Sequence, residues 1–272
     1  MSMFTHPAKK HLGQNFLHER SVIDKIVLAV APQPGDVIVE IGPGQGALTF
    51  PLLRRHGELT AIEFDRDLHV PLQAAAREHG VLHLIEGDVL GVEFSALAAT
   101  RGDANGQIRL VGNLPYNLSS PILFHALDHA PAVRDMHFML QKEVVERMAS
   151  GPGNKVYGRL SVMLQAYCAV TPLFTVPPGA FRPAPKVDSA IVRLLPKAVD
   201  QIDVLDRQVF ANVVRAAFGQ RRKTLRNALS GVADSVHIEA AGLRPDARAE
   251  QVEVTGFVRL ANLLVGVPDT RG

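Results

Sequence analysis

The fold of the chain is decided by the stretch Asp36-Val37-Ile38-Val39-Glu40-Ile41-Gly42-Pro43-Gly44-Gln45-Gly46, an apolar run followed by a turn with glycine at every second position. A short apolar run is typical of a strand that is buried on both faces. Glycine lets the backbone turn sharply and approach a ligand closely. With a helix predicted from Ala47 to about His56, the stretch predicts a strand, a tight turn and a helix.

The same alternation of strand and helix repeats along the following residues. Further strands are predicted at 59–63, 81–85, 108–111, 136–140 and 190–194, and further helices at 21–31, 67–79, 94–99, 121–129 and 159–166. This order predicts an α/β fold, with a doubly wound, mostly parallel sheet covered by helices on both faces. Strand signals stop at about residue 197, so we expect one domain over 1–197 and a small C-terminal helical domain over 198–272.

Composition excludes several classes of protein. The 272 residues are 47% hydrophobic and 21% charged, which excludes a disordered chain, and the net charge of +2 excludes a uniformly basic one but allows a local basic face. The single cysteine, Cys168, cannot form an internal disulfide and favours a reducing compartment. No apolar run approaches the ~18 residues of a membrane span, so we expect a cytoplasmic protein without a membrane partner.

Polar residues follow the first three strands at the points where they end. Glycines stand at 42, 44 and 46, Glu63 closes the second strand and Asp88 follows the third. Carboxyl ends of parallel strands meet at one edge of the sheet, where a carboxylate can accept from ribose hydroxyls. The glycine spacing differs from the G-x-G-x-x-G of dinucleotide binders, which disfavours NAD. A cofactor with a ribose and a cationic centre but no pyrophosphate fits better, and S-adenosylmethionine is such a cofactor.

The fourth strand is followed by Asn113-Leu114-Pro115-Tyr116. A residue before proline is pushed toward extended conformations, so we expect the Leu114 carbonyl to point away from the strand ladder. The asparagine oxygen and this carbonyl are then two acceptors beside an aromatic ring, a combination that suits the amino group of a planar base. From these four residues alone, an ordinary strand-end turn closed by a buried tyrosine is the alternative interpretation.

Six motifs in this order resemble the small-subunit ribosomal RNA adenine N6-dimethyltransferases, also called dimethyladenosine transferases, over nearly the whole chain. They lie at residues 12–17, 40–44, 113–116, 157–161, 181–189 and 220–227. The resemblance implies a Rossmann-like class I methyltransferase domain and a helical domain that binds RNA or the ribosome. It also implies transfer of methyl groups from S-adenosylmethionine to two adjacent adenosines in the 3'-terminal hairpin loop of 16S rRNA. The expected partner is the immature 30S subunit, and the expected state is a monomer.

The resemblance also implies roles for single residues. The cofactor-binding residues would be Asn15, Leu17, Gly42, Gly44, Glu63, Asp88 and Asn113. Asn15 and Leu17 would cover the methionine end of the cofactor, Glu63 would bind the ribose and Asp88 the adenine edge. The catalytic residues would be Asn113, Leu114, Pro115 and Tyr116, with Phe181 facing Tyr116 across the target base.

A basic run in the last quarter of the chain is the candidate RNA contact. Between residues 207 and 233 there are six basic residues and no acidic one, among them Arg221, Arg222, Lys223 and Arg226. On a helix predicted over 220–227, Arg222 and Arg226 would share one face and could bind phosphates. On charge alone a solvated helix face is the commoner meaning, whereas the resemblance favours RNA binding.

Two alternative functions remain open, and two residue patterns suggest chemistry that we do not expect. A related large-subunit rRNA adenine methyltransferase that confers antibiotic resistance shares the Asn-x-Pro-aromatic motif, and a ribosome-assembly factor could use the same fold. His125 and His129 have the i, i+4 spacing of metal ligands, but a third ligand is missing and we expect no metal. Cys168 lies in an apolar stretch and is expected in the core.

Overall fold

The structure is a computed structural model that describes residues 7–9, 12–220 and 222–266. Arg221, one of the predicted RNA-binding residues, lies outside the described residues. Contacts divide the chain into two compact units, which are treated separately below. The first comprises Met1–Val145 and Thr171–Pro196, and the second comprises Glu146–Val170 and Lys197–Gly272. The sequence-based division at residue 197 did not assign 146–170 to the second unit.

The strands and helices follow the predicted alternation. The strands are β1 (Phe16–Leu17), β2 (Ile38–Ile41), β3 (Glu58–Glu63), β4 (Val81–Glu86), β5 (Ile108–Asn113), β6 (Val133–Gln141), β7 (Cys168–Val176), β8 (Phe181–Arg182) and β9 (Ser189–Pro196). The helices are α1 (Arg20–Val30), α2 (Thr49–His56), α3 (Arg66–Ala76), α4 (Phe94–Arg101), α5 (Ser119–Asp128), α6 (Lys142–Ala149), α7 (Arg159–Tyr167), α8 (Arg207–Gly219), α9 (Leu225–Ala228), α10 (Ser235–Ala240) and α11 (Val254–Leu263).

Seven strands form one sheet in the order β4-β3-β2-β5-β6-β9-β7. The neighbours from β4 to β6 are parallel, and β9 runs antiparallel to β6. The predicted doubly wound, mostly parallel sheet is therefore confirmed. The strand order changes direction at β2, because β3 and β4 lie on one side of it and β5 and β6 on the other, and this opens a crevice at the carboxyl ends of β2 and β5.

The centre of the sheet is apolar. Every residue of β2 is buried, and the Ile38 side chain belongs to one hydrophobic core with side chains of α1 and α2. Each fully buried leucine or phenylalanine of such a core contributes about 1.5–3 kcal/mol. The strand that carries the glycine turn is thus held rigidly, which fixes the turn at the crevice.

A buried ion group ties three segments together around β5. The Arg109 guanidinium donates to both oxygens of Asp135 at 2.9 Å and to Asp36 at 2.6 Å. All three side chains are buried. Removing one partner would leave an uncompensated buried charge, at a cost of about 3–5 kcal/mol.

The second unit is helical apart from the start of β7. Ring contacts join Tyr157 to Phe218 at 5.9 Å and Phe218 to Phe257 at 5.5 Å. The Tyr157 hydroxyl, which is fully buried, donates to the Val252 carbonyl at 2.9 Å. These contacts bring the 157–161 motif into the core of this unit.

The predicted helix over 220–227 is wrong. Helix α8 ends at Gly219, and α9 begins only at Leu225. Between them Thr224 forms a β-bridge with Arg248, and the Leu225 N–H donates to the Ala247 carbonyl at 2.7 Å. This pairing draws the chain out of helical conformation, so Arg222 and Arg226 do not share a helix face.

Several elements were not predicted from the sequence. Strand β7 contains Pro172, which cannot donate to a strand ladder and is tolerated here because β7 is the last strand of the sheet. Strands β1 and β8 have two residues each and pair antiparallel with each other. Helix α6 also went unpredicted. Within the described ranges, none of the helices combines the length and apolarity needed for a membrane span.

Candidate active site

A pocket of the first unit opens at the carboxyl ends of β2, β3 and β5. It is lined chiefly by residues 12–17, 40–45, 62–64, 87–89 and 113–118. These segments include all the predicted cofactor-binding residues, namely Asn15, Leu17, Gly42, Gly44, Glu63, Asp88 and Asn113. Residues separated by up to 98 positions in sequence are thus gathered at one edge of the sheet, because parallel strands present their carboxyl ends on the same side.

The glycine turn requires glycine for two reasons. Gly42 and Gly44 have φ angles of +68° and +56°, a region that other residues rarely adopt. A Cβ on Gly44 would also lie 3.2 Å from the ring of Phe16. The Gly42 N–H donates to the Ile62 carbonyl at 2.9 Å, which fastens the turn to β3. The turn therefore presents bare backbone to the pocket.

Glu63 is held in one orientation at the pocket wall. Its Oε2 accepts from the Gly44 N–H at 3.0 Å, and its Oε1 accepts from the Asp65 N–H at 2.8 Å. Burial raises the pKa of Glu63, and the two backbone hydrogen bonds oppose that rise. Each oxygen keeps a second lone pair, so the carboxylate can still accept from a ligand hydroxyl.

Asp88 and Phe64 are two further residues of the pocket lining. Asp88 is exposed, and its Oδ1 accepts from the Leu90 N–H at 3.0 Å. Phe64 lines the pocket with 59% of its surface exposed, which is unusual for so large an apolar side chain. An exposed ring beside Glu63 offers a flat face to a nucleobase. Sequence reasoning missed Phe64, although its position directly after the strand-end acid was a usable signal.

Asn113 ends β5 with its amide group fixed. The Nδ2 group donates to the Asn15 carbonyl at 2.9 Å, so Oδ1 is the atom left to accept. The Leu114 N–H donates to the Met139 carbonyl at 3.1 Å, while its own side chain is buried. Among residues 7–9, 12–220 and 222–266, no group donates to Asn113 Oδ1 or to the Leu114 carbonyl. Two acceptors are therefore available in the pocket.

Tyr116 is anchored through its hydroxyl. Its Oη lies 2.7 Å from Oγ of Ser189, a residue that is fully buried at the start of β9. Burial raises the pKa of the Tyr116 phenol, so it stays neutral at physiological pH. Pro115 stiffens the backbone ahead of the ring. Ser189 was not predicted as a site residue, because a serine 73 positions away carries no sequence signal for this contact.

Phe181 does not occupy its predicted place. In the β1–β8 pair it stands opposite Leu17, and only 2% of its surface is exposed. Its ring belongs to the hydrophobic core together with Met139 and is not part of the pocket lining. The prediction that Phe181 faces Tyr116 across a base is not supported by this position. Its contact with Leu17 instead supports the wall of the pocket.

Glu40 is a second buried acid in the pocket lining that sequence reasoning did not select. It is 1% exposed, and its Oε2 accepts from the Thr49 hydroxyl at 2.6 Å. Burial raises the pKa of Glu40 to about 8, and the nearby charge of Glu63 acts in the same direction. Glu40 is therefore protonated at neutral pH.

The histidine pair at 125 and 129 and the cysteine at 168 have structural roles. His125 Nε2 lies 2.8 Å from the Val92 carbonyl, and His129 Nδ1 lies 2.8 Å from the Ser95 hydroxyl. Over the described part of the chain, no group of three or more potential metal ligands is found. Cys168 is buried, and burial raises the pKa of its thiol to about 12, which makes it a poor nucleophile.

Comparison with known proteins identifies the family. The family model for "Ribosomal RNA adenine dimethylase" matches residues 5–265. The chain belongs to the ribosomal RNA adenine dimethylase family. One relative within it, "Ribosomal RNA small subunit methyltransferase A" of Xanthomonas campestris pv. campestris (strain B100), is 69% identical over 96% of this chain and 98% of its own length. Its namesake in Xanthomonas euvesicatoria pv. vesicatoria (strain 85-10) is 68% identical over the same shares.

Solved structures of ribosomal RNA methyltransferases share the fold. A dimethyladenosine transferase from Plasmodium falciparum superposes with a TM-score of 0.73 at 25% identity, over 90% of this chain and 95% of that one. The 23S rRNA methyltransferase ErmE superposes with a TM-score of 0.69 at 25% identity, over 92% and 100%. Both solved structures share the fold of this chain, but the relatives named as small-subunit methyltransferases are much more similar to it in sequence.

Proposed function

We propose that this protein transfers methyl groups from S-adenosylmethionine to the N6 amino groups of two adjacent adenosines, giving N6,N6-dimethyladenosine. The adenosines lie in the 3'-terminal hairpin loop of the 16S rRNA. As a member of its family, the protein is an S-adenosylmethionine-dependent rRNA methyltransferase. The observation that carries the proposal is the pair of free acceptors, Asn113 Oδ1 and the Leu114 carbonyl, beside the anchored ring of Tyr116 in one pocket.

The pocket fits S-adenosylmethionine. When bound, this cofactor supplies an electrophilic methyl group on a sulfonium centre. The bare backbone at Gly42 and Gly44 leaves room that a Cβ would fill, and the oriented Glu63 carboxylate can accept from ribose hydroxyls. Asp88 and the exposed ring of Phe64 would hold the adenine. Asn15, Leu17 and Asn113 would lie along the methionine end.

The acceptors make a catalytic base unnecessary. The lone pair of an adenine amino group is conjugated into the ring, which makes the nitrogen a poor nucleophile. Hydrogen bonds from this amino group to Asn113 Oδ1 and the Leu114 carbonyl favour a more tetrahedral nitrogen. Preformed dipoles then stabilise the charge that develops on nitrogen, and alignment of the two reactants lowers the barrier further.

The target base has to leave its stack to enter the pocket, as in other enzymes that modify bases. Stacking on Tyr116 would offset that cost by ~1–3 kcal/mol. The hydrogen bond to Ser189 holds the ring in place before the base arrives. Pro115 limits the backbone freedom of the same turn.

The second unit would contact the RNA. Arg222, Lys223 and Arg226 are exposed in the turn after α8 and at the start of α9. Together with Arg221 they would neutralise phosphates. The substrate would be the rRNA within an immature 30S subunit, and the protein would bind it as a monomer. The compartment would be the cytoplasm, because a single cysteine is typical of proteins in a reducing environment.

One experiment separates the proposal from its alternatives. Unmethylated small subunits, large subunits and duplex DNA are incubated in parallel with labelled S-adenosylmethionine, and Asn113→Ala serves as the matched inactive control. We expect label only in small subunits, as N6,N6-dimethyladenosine at two neighbouring positions. Label only in large subunits would establish the alternative activity, and binding of immature subunits without any transfer would establish an assembly factor.

A further inference from the structure

One lysine fastens the segment that covers the pocket. We call residues 12–17 the N-terminal strap, since they contribute Asn15 and Leu17 to the pocket lining. Ahead of the strap, Lys9 Nζ lies 2.5 Å from Asp65 Oδ1 and 2.7 Å from Asp67 Oδ2. All these residues belong to the first unit.

The strap itself repeats this attachment. Gln14 Nε2 donates to Asp65 Oδ2 at 2.9 Å, and Gln14 Oε1 accepts from the Lys9 backbone N–H at 2.8 Å. Lys9 and Gln14 thus bind the two oxygens of one carboxylate and also bind each other. The strap is therefore closed onto the start of α3.

Asp65 connects this attachment to the cofactor pocket. Its side chain is only 2% exposed, so its charge requires donors. Its backbone N–H donates to Glu63 Oε1, and Glu63 Oε2 accepts from the Gly44 N–H. One continuous chain of hydrogen bonds therefore runs from Lys9 through Asp65 and Glu63 to the glycine turn.

The attachment persists at neutral pH. Burial acts to raise the pKa of Asp65, but the hydrogen bonds from Lys9 and Gln14 outweigh it and lower the pKa to about 2. A lowered acid pKa means that the interaction is fully present above the ordinary value of 3.8 and is lost only as the pH falls toward 2. Ionic attachment of the strap is therefore constant over the physiological range.

We propose that Lys9 and Asp65 are positioning residues for S-adenosylmethionine: they hold the N-terminal strap over the cofactor pocket and so slow release of the cofactor. This inference rests on the proposed function, because the pocket must bind that cofactor. Lys9 does not line the pocket and acts only through the strap.

The two carboxylates around Lys9 provide a matched comparison. Asp67 is 67% exposed on its side chain, and ion pairs between exposed groups contribute little. Asp65 is buried and also binds Gln14 and, through its backbone, Glu63. If the strap is what matters, loss of Asp65 or Lys9 should affect cofactor release, and loss of Asp67 should not.

The test measures release of S-adenosylhomocysteine in the absence of RNA. Displacement of the labelled compound is followed for the wild type, Lys9→Met, Lys9→Arg and Asp67→Asn. We expect release from Lys9→Met to be about threefold to tenfold faster, since the hydrogen bonds of Lys9 to Asp65 and Asp67 are lost but the partial exposure of Lys9 limits their contribution. Lys9→Arg should restore slow release because it keeps the cation, and Asp67→Asn should behave as the wild type. The melting temperature of Lys9→Met should fall, because the buried Asp65 carboxylate loses a cationic donor, so release is measured well below that temperature.

A double variant guards against a purely structural explanation. Lys9→Met combined with Asp65→Asn should release the compound no faster than Asp65→Asn alone, because both changes break the same attachment. Unchanged release from Lys9→Met, with methyl transfer by the wild type intact, would overturn the strap proposal and leave the proposed function standing. Weaker binding of small subunits by Lys9→Met, with unchanged release, would also overturn it and make Lys9 an RNA contact. A wild type that binds no S-adenosylhomocysteine would overturn the proposed function instead.

Discussion

The hydroxyl of Tyr116 lies 2.7 Å from the hydroxyl of Ser189, which is fully buried. The bond joins the turn after β5 to the first residue of β9. It fixes the ring from its far end, so the ring face is left for a ligand. A base that stacks there meets a surface that does not have to reorganise.

Ser189→Ala should lower the rate of methyl transfer by about threefold to tenfold, the equivalent of one neutral hydrogen bond. Tyr116→Phe should have a similar effect, and the double variant should be no worse than either single one because the same bond is lost. The measurement is single-turnover transfer to small subunits. Additive losses would show that the two hydroxyls act separately.

Asn113→Ala should leave cofactor binding largely intact and lower methyl transfer at least about a hundredfold, the scale of one lost transition-state dipole. The reason is that Nδ2 is held by the Asn15 carbonyl, which leaves Oδ1 to accept from the amino group of the target base. The rate is compared with that of the wild type at saturating S-adenosylmethionine. Single-turnover rates near the wild-type value would exclude this role for Asn113.

Gly46→Ala should destabilise the protein more than Gly35→Ala. Both glycines have φ angles above +80°, but a Cβ on Gly46 would lie 2.3 Å from the buried ring of Phe50, whereas a Cβ on Gly35 would meet nothing within 4 Å. The difference should be about 1–3 kcal/mol, the usual cost of overpacking a core. Urea unfolding of both variants measures it, and equal losses would mean that the clash is relieved.

Glu40→Gln should change how stability depends on pH. Burial raises the pKa of Glu40 from its ordinary 4.5 to about 8. Between these values the folded protein holds a proton that the unfolded chain releases, so the free energy of unfolding falls as the pH rises and levels off above about 8. The neutral glutamine removes this contribution.

Urea unfolding between pH 6.5 and about 8 tests this prediction. Below pH 6.5 the buried His137, whose pKa burial lowers to about 4, contributes a slope of opposite sign. Glu78→Gln, at an exposed position, is the matched control and should keep the wild-type slope. If the free energy of unfolding of Glu40→Gln still falls with pH as in the wild type, another group causes that decrease.

Charge reversal of Arg222 and Lys223 should weaken binding to small subunits and flatten its salt dependence. Each lost phosphate contact reduces the slope of log K against log salt by about 0.7–0.9. Lys25→Glu, on an exposed position of α1, is the control and should leave the slope unchanged. An unchanged slope in the double reversal would mean that this basic run is a solvated surface.

The sequence predicted the sheet well because its strands are short apolar runs bounded by turns. Strands β2 to β6 were placed within a few residues, and so were the strand ends that carry Gly42, Glu63 and Asn113. A side chain at the carboxyl end of a parallel strand has only one edge of the sheet to occupy. The pocket residues at these strand ends therefore followed from local pattern and topology, whereas Asn15 and Leu17 followed only from the family resemblance.

What failed depended on distant contacts. Phe181 was expected beside the base, but pairing with Leu17 turns it into the core. Arg222 and Arg226 were expected on one face of a helix over 220–227, but the bridge between Thr224 and Arg248 interrupts it. The hydrogen bond from Lys9 to Asp65 joins residues 56 positions apart, and no periodic pattern in the sequence predicts such a contact.

The hydrogen bond from Asn113 Nδ2 to the Asn15 carbonyl has a practical consequence for anyone who prepares the enzyme. An affinity tag fused ahead of residue 9 would be close in sequence to Asn15, whose carbonyl holds the amide group of Asn113. A folding assay would not report the loss of this one hydrogen bond, because β5 is held in place by its pairing with β2 and β6. The quality of a preparation should therefore be judged by the fraction of molecules that transfer a methyl group in a single turnover, and not by melting temperature.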